Sequence, residues 1–171
     1  EEIFPYWRGK TLEDIVATRV PPEIMKAVRG RAFSLNQTDH AQGHILPDVE
    51  SWLRLGIGGL RATVEDARRR PPMQAPDKEI FYDAAEIALT AAQTLIERYA
   101  DLAATMAQHE PDPQRAAELT QIAANCRHLA TDAPETFYQA LQAVWFLFVL
   151  VQIESNASSF SPGRFDQYML P

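Results

Sequence analysis

Seven polar side chains fall within twelve residues near the C-terminal end of the chain: Asn156, Ser158, Ser159, Ser161, Arg164, Asp166 and Gln167. They follow the most apolar stretch in the sequence, Ala143-Val-Trp-Phe-Leu-Phe-Val-Leu-Val151. A run that apolar predicts burial, so the polar block begins inside or against a core. Polar groups there are costly unless paired, and their partners must be one another, backbone groups, water or a ligand. A serine hydroxyl both donates and accepts, which suits a polyol, an amide or a hydroxy acid. Two histidines form a second group, His40 and His44, in the polar loop from Asn36 to His44. An imidazole just ahead of a helix can donate to a substrate hydroxyl or shuttle a proton. Each residue also has a plainer reading. A loop histidine can be structural, Ser159 can cap a turn, and Glu154 and Asn156 can cap the apolar helix. Arg164 and Asp166 can pair with each other or with helix ends.

These groups need elements to hold them. Residues 1–11 read as extended, because Pro5 and Gly9 break a helix. Thr11-Leu-Glu-Asp14 reads as a helix start, Pro21-Pro22 as a stop and a new start, and Gly30 as the next stop. Pro47 opens a helix to about Arg69. Gly56, Gly58 and Gly59 lie inside it and predict close backbone packing or a kink, since each costs about 1 kcal/mol relative to alanine. Arg68-Arg-Arg70 sits at that helix's C-terminus, where the dipole favours cations. Pro71 to Pro76 is a linker. From Asp77 to about His109 a long helix carries the apolar stripe Ile80, Ala84, Ile87, Ala91, Leu95, Tyr99, Leu102 and Met106. Asp112 caps a helix to about Leu129, with Leu119, Ile122 and Cys126 on one side. Asp132-Ala-Pro-Glu135 resembles a capping box for the apolar helix, which runs to about Glu154. Trp145, Phe146 and Phe148 are its expected core residues. No strand of length is evident, so the chain as given is all-α, a single partial domain over 1–171.

Composition narrows the function. The chain is 46% hydrophobic with a net charge of −7. That balance argues against a nucleic-acid surface, which needs a basic stripe. One cysteine, Cys126, permits no internal disulfide; it reads as a packing thiol in a reducing, cytoplasmic setting. No basic segment precedes an apolar run at the N-terminus. The apolar run 143–151 is shorter than the roughly 20 residues a bilayer needs. His109 and His128 read as solvated, and no metal site is expected.

Three ordered segments carry a family resemblance. Phe4-Pro-Tyr-Trp-Arg-Gly-Lys-Thr11 is similar to a "FPYWKGKT" segment, and Gly43-His44-Ile-x-Pro47-Asp48 to "GH-x-x-P-D-Y". Glu154-x-Asn156, Ser159, Ser161 and Gly163-Arg164-x-Asp166-Gln167-Tyr168 complete the pattern. Together they resemble the pyruvate formate-lyase-like glycyl radical enzymes, closest to the diol-dehydratase and C–N or C–S lyase branches. The resemblance implies that His44 and Ser159 contact substrate, with Ser158 and Asn156 beside them; His40 is the rival if the loop's alignment slips. Arg164 and Asp166 are expected to fix the loop. Where the diol dehydratases have histidine in "N-G-H-S-x-S", this chain has Ser158 in Asn156-Ala-Ser-Ser-Phe-Ser161, which puts a glycerol- or propanediol-type substrate in doubt.

The same resemblance implies a longer parent, an α/β ten-stranded barrel enclosing a thiyl radical. Its glycyl radical would be installed by a radical S-adenosylmethionine activating enzyme. The radical "G-C-x-E" and glycine "R-V-x-G-Y" loops do not occur in this chain, so it supplies scaffold and one pocket wall and is expected to be inactive alone, with no bound cofactor. Expected partners are a small-molecule substrate, the remainder of the parent polypeptide, the activase and a second subunit in a homodimer, with no nucleic acid and no membrane. The rival from another class is a standalone helical interaction module. Within the family, acyl transfer, decarboxylation and addition to fumarate are the alternative chemistries.

Overall fold

The computed structural model describes residues 3–32, 45–70, 76–155 and 159–169. It divides into two compact units, Glu1–Ile45 with Val151–Phe160, and Leu46–Leu150 with Ser161–Pro171. Among the described residues there are helices and one isolated bridge, and no strand. The all-α expectation for the chain holds.

In the first unit, α1 (Ile3–Trp7), α2 (Leu12–Arg19) and α3 (Pro22–Arg29) follow in order. The extended reading of residues 1–11 is corrected by α1. Pro5 lies in its first turn, where a backbone N–H has no helical partner to lose. Tyr6 and Trp7 meet edge to face at 5.3 Å, and Lys10 Nζ stands 3.7 Å over the Tyr6 ring. Helix α2 starts where expected, on a capping box. Asp14 N–H donates to Thr11 Oγ1 at 3.1 Å, and Thr11 N–H returns to Asp14 Oδ2 at 3.3 Å. The Thr11 hydroxyl, donating to the same carboxylate, holds Asp14 below the ordinary carboxylate range. Pro22 opens α3 and Gly30 caps its end.

The second unit is built from α4 (Val49–Arg69), α5 (Pro76–His109), α6 (Pro113–Leu129), most of α7 (Phe137–Ser155) and α8 (Phe165–Tyr168). Its core joins Val49, Trp52, Leu53 and Ile57 of α4 to Ala92, Ile96 and Ala100 of α5, Cys126 and Leu129 of α6, and Ala143, Val144 and Phe146 of α7. The Trp52 indole donates to the Ala143 carbonyl at 2.9 Å, so the largest α4 side chain is satisfied where it is buried. Tyr99 and Phe146 meet edge to face at 5.6 Å.

Both expectations for the glycines of α4 are met. Gly56 has φ 60° and ψ −178°, a conformation open essentially to glycine alone, and it breaks the helix. A Cβ there would lie 2.5 Å from Ala133 N and from Asp132 C. Two residues on, Gly58 N–H donates to the Thr131 carbonyl at 2.7 Å. The α6–α7 turn therefore presses backbone to backbone into the kink. On the polar side of α4, Arg61 Nε donates to Glu86 at 2.6 Å and Arg68 Nη2 to Asp83 at 2.9 Å. Arg68 is thus an ion-pair residue linking α4 to α5, in addition to its place near a helix C-terminus.

Four expectations are corrected. The apolar stripe expected on α5 faces outward: Ile80 is 68% exposed and Ile87 71%. Its buried face is instead Ala92, Ile96, Ala100 and Ala103. Trp145 is 67% exposed, although Phe146 is buried as expected and Phe148 packs partly buried against the core. The helix start expected at Asp132–Glu135 lies four residues later. Gln139 N–H donates to Thr136 Oγ1 and Thr136 N–H to Gln139 Oε1, each at 3.2 Å. That exchange makes Thr136-Phe-Tyr-Gln139 the capping box. Finally, the apolar part of α7 extends beyond residues 143–151. The stretch Phe137–Glu154, of mean hydropathy 1.4, is long and apolar enough to cross a bilayer by length and composition. Ala143, Val144 and Phe146 pack this helix into the core of the unit, while Phe137, Trp145 and Ile153 are exposed.

Cys126 is the packing thiol expected. It is fully buried, burial raises its pKa, and Gln142 Nε2 donates to its Sγ at 2.9 Å. Asn125, buried beside it, accepts from Gln121 at 2.9 Å and donates to Gln142 at 3.2 Å, so an amide chain pins α6 to α7. His128 is half-buried and bonds the Ala133 carbonyl at 2.7 Å, which corrects its solvated reading; His109 is exposed.

Candidate functional site

In the first unit, Ile45 and Phe160 form a parallel bridge. The Ile45 N–H donates to the Ser159 carbonyl at 3.2 Å. Ile45 follows His44 in the chain, and Phe160 follows Ser159. This single rung joins two of the motif segments. Ser159 and Phe160 are both half-buried. The backbone oxygen of Ser159 accepts that bond. His40, His44, Asn156 and Ser158 lie outside the described residues.

In the second unit, a cavity of about 830 Å³ opens between the first turns of α4, the start of α7, and α8. Glu50 and Arg54 line it from α4, Glu135 and Thr136 from the approach to α7, and Arg164, Gln167 and Tyr168 from α8. Asp48 fixes this end of α4: its carboxylate accepts from Ser51 N–H at 3.0 Å, and that bond lowers its pKa. Pro162-Gly163 makes the expected turn. Gly163 has φ 65°, and its N–H donates to Ser161 Oγ at 3.2 Å. A Cβ at Gly163 would come within 2.8 Å of Leu46 Cδ1, so the turn is held against the segment entering α4. Arg164 then stands at the N-cap of α8, with a long 3.5 Å contact from Nη1 to Gln167 Oε1. Asp166 is exposed in the first turn of α8, where a carboxylate complements the helix dipole.

Residues after Pro47-Asp48 thus share one cavity with Arg164, Gln167 and Tyr168 of the last motif. Glu50, Arg54 and Thr136 join them unanticipated from the sequence. The first two are four apart on a helix whose start was legible, so they share a face. The lining carries two guanidinium and two carboxyl side chains and selects no single ligand charge. No cluster of His, Cys, Asp and Glu suited to a metal occurs among the described residues.

The family model described as "pyruvate formate lyase-like" matches residues 1–171. The chain belongs to that family. It is 40% identical over 177 residues to the (2S)-3-sulfopropanediol dehydratase of Klebsiella oxytoca, covering 99% of this chain and 21% of that protein. It is 32% identical over 187 residues to the isethionate sulfite-lyase of Desulfovibrio desulfuricans, covering 100% of this chain and 22% of that one. Among solved structures, the glycerol-bound B12-independent glycerol dehydratase of Clostridium butyricum superposes with a TM-score of 0.77 at 35% identity, over 97% of this chain and 22% of its own. The chain therefore spans about a fifth of the length of the relatives it matches. It corresponds to an N-terminal region of glycyl radical dehydratases and lyases.

Proposed function

We propose that this chain is the N-terminal portion of a glycyl radical enzyme of the dehydratase or lyase type, contributing scaffold and one wall of the substrate pocket. The observation that carries the reading is the hydrogen bond from Ile45 to Ser159. It ties the residue after His44 to the serine that the family pattern assigns to substrate. That backbone adjacency supports a single small molecule met by both segments.

The substrate is a small hydroxylated molecule with a leaving group on a neighbouring carbon, expelled as water, amine or sulfite. The relatives named for sulfopropanediol, isethionate and glycerol support that class. A cysteine and a glycine outside these residues supply the radical chemistry, with the glycyl radical installed by a radical S-adenosylmethionine activase. Within this chain, His44 and Ser159 bind the substrate hydroxyl or the leaving group. Hydrogen bonds that strengthen as charge develops there favour the transition state over the ground state. Ser158 and Asn156 complete the polar wall, while Arg164 and Asp166 hold the loop. The whole protein is a cytoplasmic enzyme; residues 1–171 alone have no activity.

The test is the reading frame beyond Pro171, followed by assay of the activated full-length protein on a panel of small diols, hydroxysulfonates and hydroxy amino acids. Continuation into a "G-C-x-E" and an "R-V-x-G-Y" loop, with turnover of one panel class, is the expected result. A frame lacking both loops, or acyl transfer in place of elimination, would overturn it.

A further inference from the structure

We propose that the outward apolar stripe of α5 is the seat of a helix from the polypeptide that follows Pro171 in the same subunit. This rests on the reading that the chain is part of a longer enzyme, and it adds which surface the remainder covers. The stripe includes Ile80, Ile87, Leu95, Tyr99, Leu102 and Met106, and with Ala84 and Ala91 its spacing runs 4-3-4-4-4-3-4. Each step is one helical turn, so the residues form one continuous band along the helix. Spacing of threes and fours is what a second helix packs against, side chains of one filling the gaps of the other.

Ile80, Ile87, Tyr99, Leu102 and Met106 are all large, exposed hydrophobics, with Met106 48% exposed. The helices of this unit that pack on α5 do so mostly elsewhere, the exception being Phe146 of α7, which meets the half-exposed Tyr99 edge to face. Its core-facing residues are Ala92, Ile96 and Ala100, and its ion pairs to α4 use Glu86 and Asp83. Helix α5 has 34 residues. At about 1.5 Å of rise per residue it is about 50 Å long. The band is therefore far longer than the scattered apolar patches of a free surface. The matched relatives are nearly five times the length of this chain, and all of that length is available to cover it. A second copy of the chain is the competing occupant.

The experiment is hydroxyl-radical footprinting of the unactivated full-length protein, reading Met106 and Tyr99 by mass spectrometry across a range of protein concentrations. Half-exposed side chains would oxidise about twofold more slowly than in the urea-unfolded protein. Covered ones are expected to oxidise at least tenfold more slowly, at every concentration. Protection that disappears on dilution to the monomer assigns the stripe to a second copy and overturns the proposal. Twofold protection throughout overturns it also, while an intact full-length mass leaves the parent-enzyme reading standing. A polypeptide whose mass ends near residue 171 removes both.

Discussion

Ile45 N–H and the Ser159 carbonyl meet at 3.2 Å, a contact between residues more than a hundred positions apart. It is the lone rung of a parallel pairing among the described residues. A net hydrogen bond is worth about 1 kcal/mol, so the Ile45 amide should exchange with solvent about fivefold more slowly than the free-peptide rate. Hydrogen exchange of the full-length protein measures this. Exchange at the free rate would show that the rung does not form.

Gly56 is the position least able to change. Alanine there meets both an unfavourable φ and the Asp132–Ala133 backbone at 2.5 Å. Gly56→Ala should destabilise the protein by about 3 kcal/mol or more, read as a fall in the urea midpoint. A loss under about 1 kcal/mol would mean that the turn at Thr131–Ala133 does not press on the kink.

The start of α7 depends on Thr136 and Gln139, which exchange hydrogen bonds of 3.2 Å. Thr136→Ala should cost about 1 kcal/mol. Asp132→Ala should leave the amides at the start of α7 as well protected as before, because Asp132 does not cap that helix. Equal fraying in the two variants, seen by amide exchange at Gln139, would contradict this.

Cys126 is buried and its pKa is raised by burial. The unfolded chain releases this proton first as pH rises, so the stabilisation is complete below the ordinary thiol value of about 8.5 and declines above it. Denaturation midpoints at pH 7 and 10 should therefore converge in Cys126→Ala relative to the parent sequence. Asn125→Ala, by contrast, leaves the half-buried Gln142 Oε1 without its donor and removes the bond from Gln121. It should cost about 1–3 kcal/mol at either pH.

Local chemistry made much of this fold legible. Thr11, Gly30 and Asp112 each supply a cap that depends on residues within four positions, and all three mark helix ends in the structure. Gly56 and Gly58 announced a close approach, though not that the approaching backbone is the α6–α7 turn. Asp132-Ala-Pro-Glu135 misled because capping chemistry recurs at Thr136, and the turn at Asp132 is held against Gly56 instead. Helix α5 misled for a different reason. It has two apolar faces, and close packing on α6 takes the alanine-rich one, so periodicity found the larger side chains and not the buried ones. Trp145 is exposed on the same principle, as part of a face this chain does not itself cover. At the site, hydroxyl and imidazole types were readable, but the cavity shared by Arg54, Thr136 and Arg164 required three separate elements to converge.

Under the proposed function, His44 and Ser159 serve one substrate in the full-length enzyme. The measurement is steady-state turnover of the activated full-length protein carrying His44→Gln or Ser159→Ala, with the glycyl radical quantified by electron paramagnetic resonance in each sample. Loss of a hydrogen-bond donor to developing charge should lower kcat on the order of a hundredfold, with radical content unchanged. Full turnover in both variants at equal radical content would contradict the account.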